Sequence, residues 1–283
     1  MKQTLPLRCH AGIEECRIST ELPAFVMGII NVTPDSFWEG SRSFRTDAAE
    51  KALEMIAGGA DVIDIGGESS RPGAAYVGAD EELRRILPVI EEIRRHSDCP
   101  ISVDTRKKTV MQAAHEAGAD ILNDISALED DPELGPYAAA EKIPVILMHK
   151  RGIPAIMQNN TAYENVFEEV DSYLRQRAQY ALQCGIAEDR IILDPGIGFG
   201  KDFAANRTLI LRCGELGGGR FPVLMALSRK TCVGDMTGKS IADRLAGTLA
   251  ANLLSVQNGA VILRVHDVKE TRDMLCVMEK LRR

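Results

Sequence analysis

Polar residues of several chemical types follow the apolar runs of this chain at regular intervals. In order they are Asn31, Asp64, Asp104, Asn123 with Asp124, His149, Asp194, the triplet Ser228, Arg229 and Lys230, and then Arg264 with His266. A single acid or amide at such a place is explained equally well as the N-cap of a following helix. Capping has no use for Lys230, Arg264 or His266, which carry no acceptor of the usual kind. Ile262, Arg264 and His266 share parity, so on a strand they project to one side and set a cation beside an imidazole. Lys230 suits either a Schiff base or an ordinary ion pair or hydrogen bond.

Two glycine-rich stretches suggest phosphate binding, and neither has the required spacing. In I-L-D-P-G-I-G-F-G-K (192–201), the position five before Gly200 is Pro195 and Lys201 precedes Asp202, so it is not a P-loop. The dinucleotide fingerprint starting at Gly196 needs glycine where Lys201 stands. In G-D-M-T-G-K-S (234–240) the glycines are one residue too close, and Ser240 with Asp243 is expected to cap a helix. His10, His96 and His115 have no ligand spacing, and H-E-x-x-H is absent from the sequence, so no zinc site is assigned.

The elements that must position these groups recur along the chain. Strand-like runs occupy 25–32, 61–65, 101–104, 120–125, 144–149, 190–194, 222–227 and 260–265. Helical patterns lie between them, as at 48–57 and 242–254, with a last one near 269–282. Glycine stands where a helix should stop before a strand, in G-G-A-D (58–61), A-G-A-D (117–120) and N-G-A-V (258–261). Eight β/α units without a linker predict a (β/α)₈ TIM barrel, a single domain over 1–283 with 1–23 as a lead-in segment. An open doubly wound sheet is the alternative. In a barrel the carboxyl ends of all strands meet at one face, and the polar residues meet with them.

Composition narrows the partners. The 283 residues are 45% hydrophobic and carry a net charge of −7, which argues against nucleic acid or a membrane surface as the main partner. An anionic substrate must then be collected by local Arg and Lys. The seven cysteines are scattered and never form C-x-x-C, which predicts reduced thiols and a cytoplasmic protein. No apolar run approaches the ~18 residues of a membrane span, and the N-terminus has no apolar signal core.

G-I-I-N-V-T-P-D-S-F (28–37), D-I-G-G-E-S-S-R-P-G (64–73), S-V-D-T (102–105), L-N-D-I (122–125), L-M-H (147–149), D-P-G-I-G-F-G-K (194–201), S-R-K (228–230) and R-V-H-D (264–267) together resemble the dihydropteroate synthases of folate biosynthesis. The resemblance covers nearly the whole chain in order. It implies a transferase barrel, homodimeric and cytoplasmic, that joins 6-hydroxymethyl-7,8-dihydropterin pyrophosphate to p-aminobenzoate and releases pyrophosphate. For the pterin it implies Asp194 as the recognising acid, with Asp104, Asn123, Met148, Lys230 and Arg264. For the pyrophosphate it implies Asn31, Ser70, Arg264 and His266, with Asn31 also meeting Mg²⁺. For p-aminobenzoate it implies Phe37, Ser70, Arg71, Pro72, Phe199, Lys230 and Thr231, and Asp35 joins Lys230, Arg264 and His266 as a catalytic group. Phe37 and Phe199 are equally compatible with core packing.

Three places depart from the commonest family pattern. Ser70 and Thr231 exchange the usual Thr and Ser and keep a hydroxyl, and W-E-G-S-R (38–42) replaces S-D-G-G. Two rivals are a methyltetrahydrofolate-binding domain of corrinoid methyltransferases and a catalytically silent pterin-binding homologue. S-R-K and G-G-E-S-S-R-P-G weigh against the first, and Asn31, Arg264 and His266 against the second.

Overall fold

The computed structural model describes residues 3–7, 16–33, 43–69, 74, 76–152 and 161–282. Among the described residues the strands are β1 (Gln3–Leu7), β2 (Cys16–Thr20), β3 (Phe25–Asn31), β4 (Val62–Gly66), β5 (Ile101–Asp104), β6 (Ile121–Asp124), β7 (Val145–Met148), β8 (Ile191–Asp194), β9 (Leu224–Met225) and β10 (Ile262–Val265). The helices are α1 (Ser43–Ala57), α2 (Ala79–His96), α3 (Lys108–Glu116), α4 (Leu134–Ala140), α5 (Val166–Gln183), α6 (Phe203–Leu211), α7 (Thr231–Thr237), α8 (Leu245–Gln257) and α9 (Val268–Arg282). Strands β3 to β10 form one parallel sheet in the order β8-β7-β6-β5-β4-β3-β10-β9. A parallel bridge from Leu193 to Val223 joins β8 to β9 and closes the sheet into a barrel. All eight predicted barrel strands are present. The seventh is shorter than expected: only Leu224 and Met225 pair with β10, although Ala226 and Leu227 continue the inward and outward alternation.

Period-two alternation divides the strand side chains between two cores. Phe25, Met27, Val62, Ile121, Ile146, Ile192, Leu224, Ala226 and Ile262 fill the barrel interior. Their neighbours, such as Val26, Ile63, Val103, Leu122, Leu147, Leu193 and Leu263, pack outward against the helices. The lead-in segment contributes two strands. β1 and β2 pair antiparallel, and Leu5, with Ile18 packed beside it, belongs to the interior cluster and plugs the barrel.

Local sequence sets the helix ends. α2 carries Asp80, Glu81 and Glu82 in its first turn and Arg94, Arg95 and His96 in its last, the arrangement the helix dipole favours. Asp202 caps α6 by accepting from Ala205 N at 2.8 Å. Ser240 does not cap in the way expected. Its hydroxyl bonds Asp243 Oδ2 at 2.7 Å across a short 3₁₀ turn, and α8 begins only at Leu245.

Candidate active site

The same alternation sorts the strand-end polar residues. Register pairs Asn31 with Gly66, Gly66 with Asp104, Asp104 with Asn123, Asp64 with Ser102, and Met148 with Asp194, so these side chains share the interior side. They sit above the apolar interior layer, at the strands' carboxyl ends. Arg264 crosses the mouth to reach them. Its Nε and Nη2 both lie 2.6 Å from Asp64 Oδ2, and Nη2 lies 3.2 Å from Asp104 Oδ2. Asn123 Nδ2 donates to Asp64 at 3.2 and 3.3 Å. Asp64, fully buried, therefore orients both a cation and an amide.

Asp124 and His149 have the opposite parity and turn away from the mouth. Asp124 accepts from Ser126 N, Ser126 Oγ and Leu128 N, each at 2.7 Å. That holds Ala127 and Leu128 at φ 50° and 65°, an unusual pair for residues other than glycine. His149 packs edge-on against Tyr173, with ring centroids 5.0 Å apart. Turn hydrogen bonds account for Asp124, and packing together with a hydrogen bond from Lys201 Nζ at 2.8 Å accounts for His149.

Asp194 lies at the tip of β8 and is 4% exposed. Its Oδ1 accepts from Gly196 N at 2.7 Å. The glycine is required there, because a Cβ would fall 1.9 Å from His149 O and φ is 65°. Lys230 Nζ donates to Ile197 O at 2.6 Å and lies 4.8 Å from the Phe199 ring centre. Ile125, Met148 and Phe199 form a small apolar cluster beside these polar groups. Acids, cations and flat apolar surface thus meet in one place, suited to a polar heterocycle.

S-R-K has a separate task for each residue. Ser228 Oγ receives His266 N at 3.1 Å and pairs with His266 Nδ1 at 3.0 Å. Arg229 bonds Asp267 at 2.9 and 2.5 Å and locks the turns after β9 and β10 together. Lys230 faces the site. Thr231 begins α7 and is exposed at the rim. Asp35, Phe37, Ser70, Arg71 and Pro72 lie outside the described residues.

Ion pairs tie down the chain around Glu68. Lys107 Nζ bridges Glu68 at 2.7 Å and Glu82 at 2.6 Å, and Arg106 Nη2 meets Glu68 at 2.8 Å. Glu68 also accepts from Val77 N at 3.4 Å. Gly67 permits this, since a Cβ would come within 2.9 Å of Glu82 Cγ and Ile86 Cγ2.

Burial governs the site's protonation. It pushes Asp104 up to about 7 against the pull of Arg264, with Asp64 adding to the rise. It raises Asp194 in spite of Lys230 and the Gly196 N–H. It lowers Lys230 to about 8, with Asp194 opposing and Arg264 assisting. It also lowers His266 to about 4, helped by Arg264. Burial works against the Arg264 charge too, but Asp64 and Asp104 outweigh it and raise its pKa. Burial and the neighbouring Arg264 charge therefore keep the imidazole beside the mouth neutral at neutral pH.

The sequence left Asp64 and Lys201 without roles. Asp64 could have been found by parity, since it shares the interior side with Asn31 and Asp104. Lys201 gave no such signal. It is 3% exposed, and its Nζ meets His149 Nδ1 at 2.8 Å, Gly196 O at 2.9 Å, Phe199 O at 3.1 Å and His149 O at 3.4 Å. Burial pulls its pKa well down and Asp194 opposes the fall. Four acceptors around one nitrogen favour the ammonium form, with a neutral His149 accepting through Nδ1.

Comparison with known proteins agrees with this geometry. The pterin binding enzyme family matches residues 27–266. Dihydropteroate synthase of Escherichia coli (strain K12) is 44% identical over 256 residues, which cover 90% of each chain. A structure of the Xanthomonas albilineans dihydropteroate synthase with 4-aminobenzoic acid superposes at a TM-score of 0.89, with 41% identity and 98% of each chain covered. The Burkholderia cenocepacia dihydropteroate synthase complexed with 7,8-dihydropteroate gives 0.85, at 39% identity over 98% of this chain and 96% of that one. With its closed barrel, its buried acids at the strand ends and these relatives, the chain belongs to the dihydropteroate synthase family.

Proposed function

We infer that this chain is a transferase that condenses 6-hydroxymethyl-7,8-dihydropterin pyrophosphate with p-aminobenzoate, giving 7,8-dihydropteroate and pyrophosphate. The observation that carries this reading is the buried Asp194 carboxylate, set beside Lys230, Met148 and Phe199 and across the mouth from the Arg264 cluster. The amino-pyrimidine edge of a pterin presents adjacent N–H donors in one plane, and a carboxylate accepts two such bonds. Lys230 donates to the ring carbonyl after leaving Ile197 O. Asp104 and Asn123 line the same slot.

The pyrophosphate is assigned to Asn31, Ser70, Arg264 and His266. At roughly 4 Å and an effective dielectric near 20, each unit charge pair contributes about 4 kcal/mol before desolvation. Arg264 is already shared with Asp64 and Asp104, so it supplies only part of that. His266 makes up charge by gaining a proton, while Ser228 holds its Nδ1 side. The C–O bond breaks first, leaving its electron pair on pyrophosphate and a resonance-stabilised cation on the pterin methylene. The neutral aniline nitrogen of p-aminobenzoate then forms the C–N bond and loses a proton. Lys230, Phe199 and Thr231, with Asp35, Phe37, Ser70, Arg71 and Pro72, are assigned to the second substrate.

Mg²⁺ is proposed as the cofactor, with the Asn31 amide oxygen as its protein donor. Among the described residues no group of three His, Cys, Asp or Glu is placed to cage a metal ion. Mg²⁺ commonly keeps its waters and is held by one or two protein oxygens plus substrate phosphates, which suits a single donor. When bound it would neutralise charge on the departing pyrophosphate. A cytoplasmic homodimer is part of the same proposal, supported by the family resemblance and the scattered thiols. Incubation with the pterin pyrophosphate, p-aminobenzoate and Mg²⁺ tests the function. Both products should form, and folded protein that forms neither would refute it. The identity to named synthases favours this reading over a methyltransferase domain.

A further inference from the structure

The turn from Asp194 to Lys201 directs its carbonyl groups onto donors. Lys201 takes Gly196 O and Phe199 O, Lys230 takes Ile197 O, Tyr163 Oη takes Gly200 O at 3.0 Å, and Asn206 Nδ2 takes Lys201 O at 3.1 Å. The stretch is therefore the inverse of a phosphate loop: it offers oxygens to donors, three of them to the two lysines. The two lysines are not equivalent. Lys230 reaches Ile197 O from the mouth and lies against the Phe199 ring, within reach of a ligand. Lys201 is sealed behind the turn and meets no carboxylate among the described residues. Its hydrogen bond to His149 fastens the turn to the end of β7, beside Met148.

We propose that Lys201 is a positioning residue: a fixed ammonium that holds the Asp194–Gly200 turn in shape, so that Lys230 can leave Ile197 O for substrate without the turn relaxing. The proposal rests on the assignment of Asp194 and Lys230 to the pterin. Two groups that meet substrates hang on what Lys201 holds. Asp194 is bonded to the Gly196 N–H, and the Gly196 carbonyl is a Lys201 acceptor. The Phe199 carbonyl is another, and its ring is the surface against Lys230.

Lys201→Met keeps the chain's bulk and removes the charge and all of its hydrogen bonds. The readouts are pterin affinity by titration, KM for p-aminobenzoate, kcat, and cooperativity of thermal unfolding. Folded variant should bind 6-hydroxymethyl-7,8-dihydropterin about tenfold more weakly and show a comparable rise in KM, with kcat at saturation changed by no more than about threefold. A folded variant with both binding constants within about twofold of the unaltered protein would overturn the proposal. Should the variant not fold, ¹⁵N-lysine NMR of the unaltered protein decides. On pterin addition the Lys230 ammonium resonance should move while the Lys201 resonance stays in place and exchanges slowly. A Lys201 resonance that moves as far as that of Lys230 would overturn the fixed-anchor role. Unaltered protein that binds no pterin refutes the proposed function itself, and the Lys201 role falls with it.

Discussion

Replacing Asp194 by Asn tests the recognition of the pterin most sharply. One carboxylate oxygen is already committed to Gly196 N at 2.7 Å. An asparagine that keeps this bond with its amide oxygen must turn its NH₂ toward the pterin edge, where donor then faces donor. Two charge-assisted hydrogen bonds at about 2 kcal/mol each are lost, offset by about 1 kcal/mol because a neutral amide is cheaper to bury. The net of about 3 kcal/mol corresponds to roughly 150-fold weaker binding. Titration with 6-hydroxymethyl-7,8-dihydropterin measures it. Affinity within about threefold of the unaltered protein would refute Asp194 as the recognising acid. The same variant has a stability signature of opposite sense. Burial raises the folded Asp194 pKa above 3.8, so its contribution to stability is present below 3.8 and is lost as pH rises through the folded value. The Asn variant should therefore gain stability relative to the unaltered protein between about pH 4 and pH 8, read by urea denaturation at both. A relative loss over that interval would contradict the buried acid.

Three other perturbations probe the rest of the site. Asp64→Ala leaves Arg264 with Asp104 alone, and breaking this buried pair should cost about 3 kcal/mol in equilibrium urea unfolding; a cost below about 1 kcal/mol would contradict its orienting role. Gly196→Ala forces a Cβ to 1.9 Å from His149 O at a left-handed φ. It should lower stability by at least about 2 kcal/mol by thermal unfolding and abolish pterin binding, whereas a neutral result would show that the turn is free to shift. His266, held down to about 4, should take up a proton when pyrophosphate binds at neutral pH. Calorimetric enthalpies should then vary with the ionisation heat of the buffer, and buffer-independent heats would remove His266 from that role.

Much of the barrel was legible because its signal is local. Each strand carries its own apolar run, and glycines such as Gly59, Gly118 and Gly259 stop the preceding helices at positive φ. Strand parity also placed Arg264 with His266, because alternation needs no knowledge of the partner strand. The ties that complete the site are not local. Asp64 meets Arg264 across 200 positions of chain, and Ser228 meets His266 across 38. Lys201 resembled a phosphate ligand by position, and only the inward carbonyls of its own turn show what it holds. The residues of the β1–β2 pair alone do not announce that Leu5 enters the barrel.

A single-turnover experiment tests the central claim most directly. Enzyme in excess over the pterin pyrophosphate is mixed with p-aminobenzoate and Mg²⁺, quenched rapidly, and assayed for both products in each sample. One pyrophosphate and one 7,8-dihydropteroate should form per pterin, the dihydropteroate only when p-aminobenzoate is present. Pyrophosphate without dihydropteroate under those conditions, or neither product from protein that binds the pterin, would contradict the assignment.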